Sequence, residues 1–216
     1  MTTAQIDGVM AISISGHLAK VSRNASVLDA RQQIREAMRR PNVKSIFISV
    51  ECPTAGYHGA YELHNDITQV TTLKPVHVHF VDSTAAIAYW AFSSASVLSA
   101  NQPAFIDAPG LSISMIDSSE GNEKRGIKTH VLKTGPHKAT GHPGTEVTAD
   151  QLAHTQSLVD HFANLMYQGI SVARKIPVDK LKSFQGRSLH STEAMKEKFI
   201  DKVCTFDEAL NEAKQK

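Results

Sequence analysis

Hydrophobic and polar residues repeat along this chain with two periods, one typical of strands and one typical of helices. The strand-like segments are 8–16, which alternates, and the apolar runs 43–50 and 75–81; the helix-like segments are 26–40, 57–73 and 84–96. Ser26 is the expected N-cap of the first helix. Strands that alternate with helices in this way predict parallel βαβ units, and therefore an α/β fold.

The second half of the chain continues the alternation in shorter pieces. Residues 117–126 form a polar helix or turn, and 136–147 form a loop. The other predicted elements are strands at 97–100, 104–106, 111–116, 127–135 and 201–204, and short helices at 178–184, 191–199 and 206–215. We find no repeat and no linker, so we expect residues 1–216 to form a single domain.

One long helix is predicted over 148–176, with Thr148 as its N-cap. Its apolar residues form one stripe, consisting of Leu152, Leu158, Val159, Phe162, Leu165 and Met166. The stripe is explained equally well by a core within the chain and by an interface between copies of it.

The composition permits a large hydrophobic core, since 41% of the 216 residues are hydrophobic. Lys and Arg outnumber Asp and Glu by only 23 to 21, so no basic surface indicates a nucleic-acid partner. The longest apolar runs fall short of the roughly 20 residues that cross a bilayer, and the N-terminus lacks the features of a signal peptide. We therefore expect a cytoplasmic protein without a membrane span.

Residues that commonly bind metals are scattered along the sequence. Cys52 and Cys204 lie far apart with no neighbouring ligands, so neither a zinc site nor a disulfide framework is expected. His77 and His79 share one face of a strand, but spacing identifies no third ligand. We expect this pair to be packed or hydrogen-bonded in the core, with no metal and no cofactor bound.

Two longer segments match the motifs of a protease family. "GIKTHVLKTGPHKATGHPGTEVTADQLAHTQSLVDHFANL" (126–165) resembles the strand, lysine loop and long helix of peptidase family S49, and "STAAIAYW" (83–90) resembles its nucleophile motif. This family includes signal peptide peptidase A and the head-maturation proteases of tailed phages. The resemblance runs from about Gly8 to about Leu210. It implies the ClpP/crotonase spiral of βαβ units, a homo-oligomer, a polypeptide partner and, for a phage-encoded member, action in the host cytoplasm.

Members of this family use a Ser–Lys dyad, in which a neutral lysine takes the proton of the serine and backbone N–H groups stabilise the oxyanion. When the motifs are aligned, Lys138 stands at the position of the lysine and Ala86 at that of the serine. Alanine has no lone pair with which to attack a carbonyl. The resemblance therefore implies a base position with no nucleophile beside it.

The oxyanion motif has also changed. Where the family has SPGG, this chain has "CPTA", so that Thr54 and Ala55 replace both glycines. The resemblance places Thr54, Ala55, Ile87 and Gly110 at oxyanion and substrate-binding positions. Because glycine adopts positive φ at little cost and threonine does not, we expect a misshapen oxyanion hole.

Two explanations of Ala86 are open at this point. The chain is either an inactive homologue with a structural, assembly or peptide-binding role, or an active Ser–Lys endopeptidase whose serine has been replaced by alanine. A crotonase-like acyl-CoA enzyme shares the implied fold but has no support from the motifs.

Other residues near the same turns offer alternatives. One alternative is that Ser83 or Thr84 acts as the nucleophile in place of position 86. However, serine and threonine residues that follow a strand commonly cap the next helix. Lys138 is either a pocket base or a solvated loop residue. His137 beside it either lines a ligand pocket or is an ordinary polar loop residue.

Overall fold

The computed structural model describes residues 1–215, which fall into two compact units. The first, called the sheet unit below, comprises Met1–Gly110 and the chain from Met166 onward. The second unit comprises Leu111–Leu165. Within residues 1–215, no helix has the length and apolar character needed to span a bilayer.

The strands of residues 1–215 all belong to one mixed sheet in the sheet unit. They are β1 (Thr2–Ile6), β2 (Val9–Ser15), β3 (Ser45–Cys52), β4 (Val76–Thr84), β5 (Val97–Ala100), β6 (Phe105–Asp107), β7 (Ser188–His190) and β8 (Lys202–Val203). The order is β1-β2-β3-β4-β5-β8, with β6 beside the end of β4 and paired to β7. The β1–β2 and β6–β7 pairs are antiparallel and the others parallel, which confirms the predicted α/β fold.

The helices begin and end close to the predicted positions. They are α1 (Val27–Arg39), α2 (Ala60–Thr71), α3 (Ala86–Phe92), α4 (Ser119–Lys124), α5 (Ala149–Arg174), α6 (Val178–Ser183), α7 (Ser191–Lys196) and α8 (Phe206–Lys214). Two predicted N-caps are confirmed. Ser26 Oγ accepts the Asp29 amide proton at 3.3 Å, and Thr148 and Gln151 exchange side-chain to backbone hydrogen bonds of 3.2 and 3.3 Å.

The core lies on both faces of the central strands. In β3 only Glu51 is exposed, as expected for a strand covered on both sides. On one face, the alanines of α8 pack against Val9 and Phe47. Ser45 Oγ donates a 2.6 Å hydrogen bond to the Ala213 carbonyl, which fixes the end of α8 to the start of β3.

Two predicted strands are wrong. Residues 111–116 and 127–135 have strand-like sequences, but both lie in the second unit without a strand partner. A strand needs a neighbour to receive its backbone hydrogen bonds, and residues 111–165 contain helices and irregular chain only. Ile113 and Ile116 are consequently exposed to solvent.

The predicted stripe of α5 is poorly buried. Met166, in the sheet unit, is the only one of the six stripe residues that is fully buried, whereas Leu152 and Leu158 are exposed. Val159, Phe162 and Leu165 are half-buried. The stripe therefore does not form a closed core of the second unit.

Candidate active site

Three loops of the sheet unit leave the same edge of the sheet. Cys52 of β3 pairs with Thr84 of β4, and Thr84 pairs with Ile106 of β6, all in parallel. The loops after these strands therefore start side by side at carboxyl ends, where α/β proteins commonly bind ligands. These loops and the first turn of α3 carry five of the predicted site residues, namely Thr54, Ala55, Ala86, Ile87 and Gly110.

The turn from β4 into α3 is held by backbone hydrogen bonds. The Ala85 amide donates to the Cys52 carbonyl at 2.8 Å, and the Tyr89 amide donates to the Ala85 carbonyl at 2.9 Å. Ala86 is the first residue of α3 and is 8% exposed. The structure thus places position 86 where a strand turns into a helix, with a methyl group as its side chain.

The predicted capping of α3 by a side chain is wrong. Ser83 and Thr84 belong to β4, and the N-cap is Ala85, which has no side-chain capping bond. The strand continues because β6 begins beside it and pairs with both residues. Ser83 is half-buried, and Thr84 is 2% exposed, with no hydrogen-bond partner for its hydroxyl among residues 1–215. A hydroxyl this buried is not accessible to a substrate.

A thiol lies directly opposite Thr84. Cys52 is fully buried, and its Sγ lies 3.9 Å from the Ile14 carbonyl oxygen. Burial raises the pKa of this thiol to about 12. Because the thiolate is the nucleophilic form of cysteine, Cys52 is not an activated nucleophile.

The loop that carries Thr54 and Ala55 is anchored by the segment after β2. The Leu18 amide donates to the Thr54 carbonyl at 3.0 Å, and the Gly56 amide donates to the Leu18 carbonyl at 2.7 Å. His17 Nδ1 lies 2.9 Å from Thr54 Oγ1. Neither Thr54 nor Ala55 has a positive φ, so this loop accommodates both residues without backbone strain.

His17 and Leu18 were missed in the sequence analysis. They lie more than 30 residues from the loop that they contact, and the sequence offers no local signal for such a pairing. Only the parallel β2–β3 register brings them together.

Gly110 has a packing role of its own. A Cβ on Gly110 would lie 2.9 Å from the Gly186 Cα, closer than Cβ atoms normally approach another atom. A side chain at Gly110 would therefore push two backbone segments apart.

Behind the turn, α3 is held by its aromatic residues. Tyr89 Oη donates a 2.8 Å hydrogen bond to the Phe199 carbonyl, and burial raises the pKa of this phenol. Trp90 is fully buried, and the rings of Tyr57, Tyr61 and His64 lie around it at centroid distances of 5.8, 6.2 and 6.0 Å. These contacts make α3 a rigid support for position 86.

The predicted lysine lies in the second unit. Lys138 is exposed in a short 3-10 turn, Pro136–Ala139. The neighbouring His137 Nε2 lies 3.2 Å from Asp150 Oδ2, and the centroid of its ring lies 4.7 Å from that of His154, with the rings tilted by 47°. Gln151 Nε2 donates to the Pro136 carbonyl at 2.9 Å, which ties the turn to the start of α5. The roles predicted for Lys138 and His137 stay predictions.

The histidines of β4 are core residues. His79 Nδ1 lies 2.9 Å from Ser99 Oγ, and its Nε2 lies 3.1 Å from Asn101 Oδ1. This confirms that His79 is a packed and hydrogen-bonded residue. Over residues 1–215, no three or more His, Cys, Asp or Glu side chains are grouped so as to hold a metal ion.

Comparison with known proteins identifies the family. The model of peptidase family S49 matches residues 68–216. Capsid assembly protease C of Escherichia phage lambda is 20% identical over 212 residues, which cover 95% of this chain and 48% of the phage protein. A predicted signal peptide peptidase SppA of Enterococcus faecium is 21% identical over 189 residues, or 85% of this chain and 54% of that protein. A predicted protease of Synechocystis is 21% identical over 199 residues, or 92% and 70%. The chain thus spans about half the length of two of these relatives. Because the family model matches more than half of the chain, the chain belongs to peptidase family S49.

Proposed function

We propose that this chain is a member of family S49 that lacks the nucleophilic serine and acts as a non-catalytic protein. The observation that carries this proposal is Ala86, a methyl side chain at the first position of the helix that follows a parallel strand. We further propose that residues 1–216 form one ClpP/crotonase-type domain and that the chain assembles into a homo-oligomer.

Two neighbouring groups support the loss of activity, because neither supplies a substitute nucleophile. Thr84 is buried, and the Cys52 thiol is held in its protonated form. The replacement of both motif glycines by Thr54 and Ala55 also points away from catalysis, since neither residue adopts a glycine-only conformation.

A structural or assembly role, or the binding of a peptide without cleavage, fits this chemistry best. The three loops leave the carboxyl ends of parallel strands, where ligands commonly bind, while position 86 carries no hydroxyl. The phage lambda relative is a capsid assembly protease by name, which makes an assembly role in a phage-type particle the first setting to test.

The second candidate is an active Ser–Lys endopeptidase in which alanine replaces the serine at position 86. It is favoured by the intact turn, because the backbone around Ala86 is held by the hydrogen bonds from Ala85 and Tyr89, neither of which depends on the residue at 86. Lys138 would be its general base.

An Ala86→Ser variant distinguishes the two candidates. We expect neither the wild type nor this variant to be labelled by a fluorophosphonate, measured by intact mass, nor to cleave a peptide library. Ala85→Ser, which places the same hydroxyl one residue earlier, at the N-cap of α3, is the matched control. Stoichiometric labelling and peptide cleavage by Ala86→Ser alone, or a serine codon at position 86 in the genome, would establish the second candidate.

The oxyanion loop is tested by a triple variant. One missing oxyanion donor typically costs about 10²–10³ in rate. If the loop is eroded as proposed, combining Ala86→Ser with Thr54→Gly and Ala55→Gly raises labelling above that of Ala86→Ser. Equal labelling of the two variants would contradict an eroded loop.

A further inference from the structure

Helix α1 presents a row of arginines at the surface of the sheet unit. Arg31, Arg35 and Arg39 follow one another at intervals of four residues, so they are neighbours on one side of the helix. They line a groove of about 420 Å³, which is called the arginine groove below. The other residues that line it also belong to α1 and are Leu28, Gln32 and Glu36.

A buried carboxylate holds two of these arginines in place. Asp66 of α2 is 8% exposed and accepts hydrogen bonds of 2.6 Å from Arg31 Nε and 2.8 Å from Arg35 Nη2. A guanidinium carries five N–H donors, and within residues 1–215 neither arginine has another hydrogen-bond partner. Most of their donors are therefore free for a ligand. Because Asp66 orders both side chains beforehand, a ligand does not bear the full entropic cost of ordering them.

The region around the arginine groove has an excess of positive charge. Residues 20–40 and 60–74, which contain α1, α2 and the loops next to them, hold seven Lys or Arg and four Asp or Glu. In the rest of the chain, Asp and Glu outnumber Lys and Arg by one. At the groove itself, Asp66 is shared by two arginines and Glu36 is paired with Arg40. Arg39 has no ion-pair partner in the part of the chain that the structure describes. The groove therefore favours a ligand with several negative charges.

The spacing of the arginines matches an acidic peptide in extended form. With a rise of 1.5 Å per residue, successive arginines of the row are about 6 Å apart along the helix axis, and the whole row is about 12 Å long. In an extended peptide, alternate side chains point in the same direction and are about 6.6 Å apart. Acidic residues at alternate positions can thus place one carboxylate beside each arginine, whereas a single phosphate group is too small to reach all three. Leu28, which is 44% exposed, lies at one end of the groove and offers a contact to an apolar residue of the peptide.

We propose that the arginine groove binds an extended acidic segment of a partner protein, with carboxylates at alternate positions and an apolar residue against Leu28. The inference goes beyond the proposed function, because it states the chemistry of a partner. It does not depend on the residue at position 86, since the groove is formed by α1 and not by the loops of the candidate active site.

Fluorescence anisotropy of a labelled peptide with the full chain tests the proposal. The peptide Leu-Ser-Glu-Ser-Glu-Ser-Glu-Ser-Leu reads the same in both directions, and its control peptide has Gln in place of each Glu. An exposed ion pair contributes about a factor of 2–5 to an equilibrium constant. We therefore expect the acidic peptide to bind about 10–100-fold more tightly than the control peptide, and this difference to shrink as NaCl is raised to about 0.5 M, because salt screens exposed charges.

Two double variants locate the binding site. Arg35→Gln/Arg39→Gln removes two arginines of the groove and should raise the Kd of the acidic peptide about 10-fold. The matched control, Arg125→Gln/Lys128→Gln, removes two exposed positive charges from the second unit and should leave the Kd unchanged. Absence of binding to the wild type, equal binding of the two peptides, or an equal effect of the two double variants would overturn the proposal.

Two further measurements use the wild type alone, so that misfolding of a variant cannot obscure the result. In hydrogen exchange, we expect the acidic peptide to increase the protection of residues 27–40, and protection confined to other segments would overturn the named groove. A four-residue oligothymidine carries the same three negative charges as the peptide. If it binds more tightly than the peptide, the groove recognises nucleic acid and the proposed acidic protein segment is wrong.

Discussion

The packing of α5 against α3 makes a quantitative prediction about Gly169. A Cβ at this position would lie 2.4 Å from Trp90 Nε1, 3.3 Å from Trp90 Cδ1 and 3.5 Å from His64 Nε2. Real Cβ atoms essentially never approach another heavy atom to less than 3.0 Å. Gly169→Ala therefore requires either the indole ring or the helix to move.

The indole ring has little room to move. Trp90 is fully buried, and Tyr57, Tyr61 and His64 surround it. The backbone of Trp90 is also engaged, since its carbonyl oxygen lies 2.9 Å from His64 Nδ1. The added methyl group therefore displaces packed atoms and not the free end of a flexible side chain.

Two opposing contributions determine how much Gly169→Ala changes the free energy of unfolding. Overpacking of a close-packed core typically costs about 1–3 kcal/mol, and replacing glycine by alanine within a helix contributes about 1 kcal/mol of stability. Because the contact is so short, we take the upper half of the first range and expect the free energy of unfolding to fall by about 1–2 kcal/mol. For a chain of this length, that lowers the Tm by about 2–8 °C.

Urea denaturation followed by tryptophan fluorescence is the appropriate assay, because Trp90 is the only tryptophan in the chain. The matched control is Gly121→Ala in α4, where a Cβ meets nothing within 4 Å and the glycine has no positive φ. We expect this control to be neutral or up to about 1 kcal/mol more stable. If Gly169→Ala is as stable as the wild type and leaves the near-ultraviolet circular dichroism of Trp90 unchanged, the described packing of α5 on α3 is wrong.

Three further predictions concern buried polar groups of the sheet unit. Burial lowers the pKa of His64 and His79, so below pH 6.5 the unfolded chain binds more protons than the folded chain. The free energy of unfolding should therefore fall as the pH decreases from 6.5 to 5, by at most about 1.4 kcal/mol per pH unit for each histidine. Urea midpoints that stay constant over this range would contradict the prediction. Asp66 is buried and receives hydrogen bonds of 2.6 and 2.8 Å from two arginines of α1, so Asp66→Asn should lower the free energy of unfolding by about 2 kcal/mol in urea denaturation. In the native protein, an aromatic disulfide reagent should modify only the partly exposed Cys204, and Cys52 should react only after unfolding.

The central strands and the longer helices were predictable because their sequences repeat with a clear period. The first strand was missed, although a signal for it exists. Asp7 and Gly8 both have positive φ, of 50° and 81°, and form the two-residue turn between β1 and β2. An Asp-Gly pair is typical of such hairpins, but the polar sequence of Thr2–Ile6 hides the strand itself.

The two wrong strands show where local periodicity stops being informative. Residues 111–116 and 127–135 have strand-like apolar patterns, yet no other strand of the second unit is available to pair with them. A sequence pattern describes which face of a segment is apolar, not which partner covers that face. The same ambiguity applies to the stripe of α5, for which both explanations were open.

The proximity of the segments that carry Thr54, Ala86 and Gly110 was predictable, because they follow neighbouring parallel strands. What was not predictable depends on long-range contacts. Gly110 meets Gly186, Gly169 meets Trp90, and His17 meets Thr54, each across 37 or more residues of sequence. Close approaches of this kind depend on the packing of whole elements, to which no local signal corresponds.

The turn from β4 into α3 is stable for reasons that do not involve the side chain at position 86. Its geometry depends on the hydrogen bond from the Ala85 amide to the Cys52 carbonyl, on Tyr89 bonded to Phe199, and on the buried Trp90. None of these interactions needs a hydroxyl at 86, and the methyl group of Ala86 fits a nearly closed environment. The requirements of folding alone therefore preserve the turn whichever small residue stands at position 86. The residue at position 86 therefore affects the chemistry of this site but not the fold. Labelling of Ala86→Ser is thus a direct test of the function of this chain.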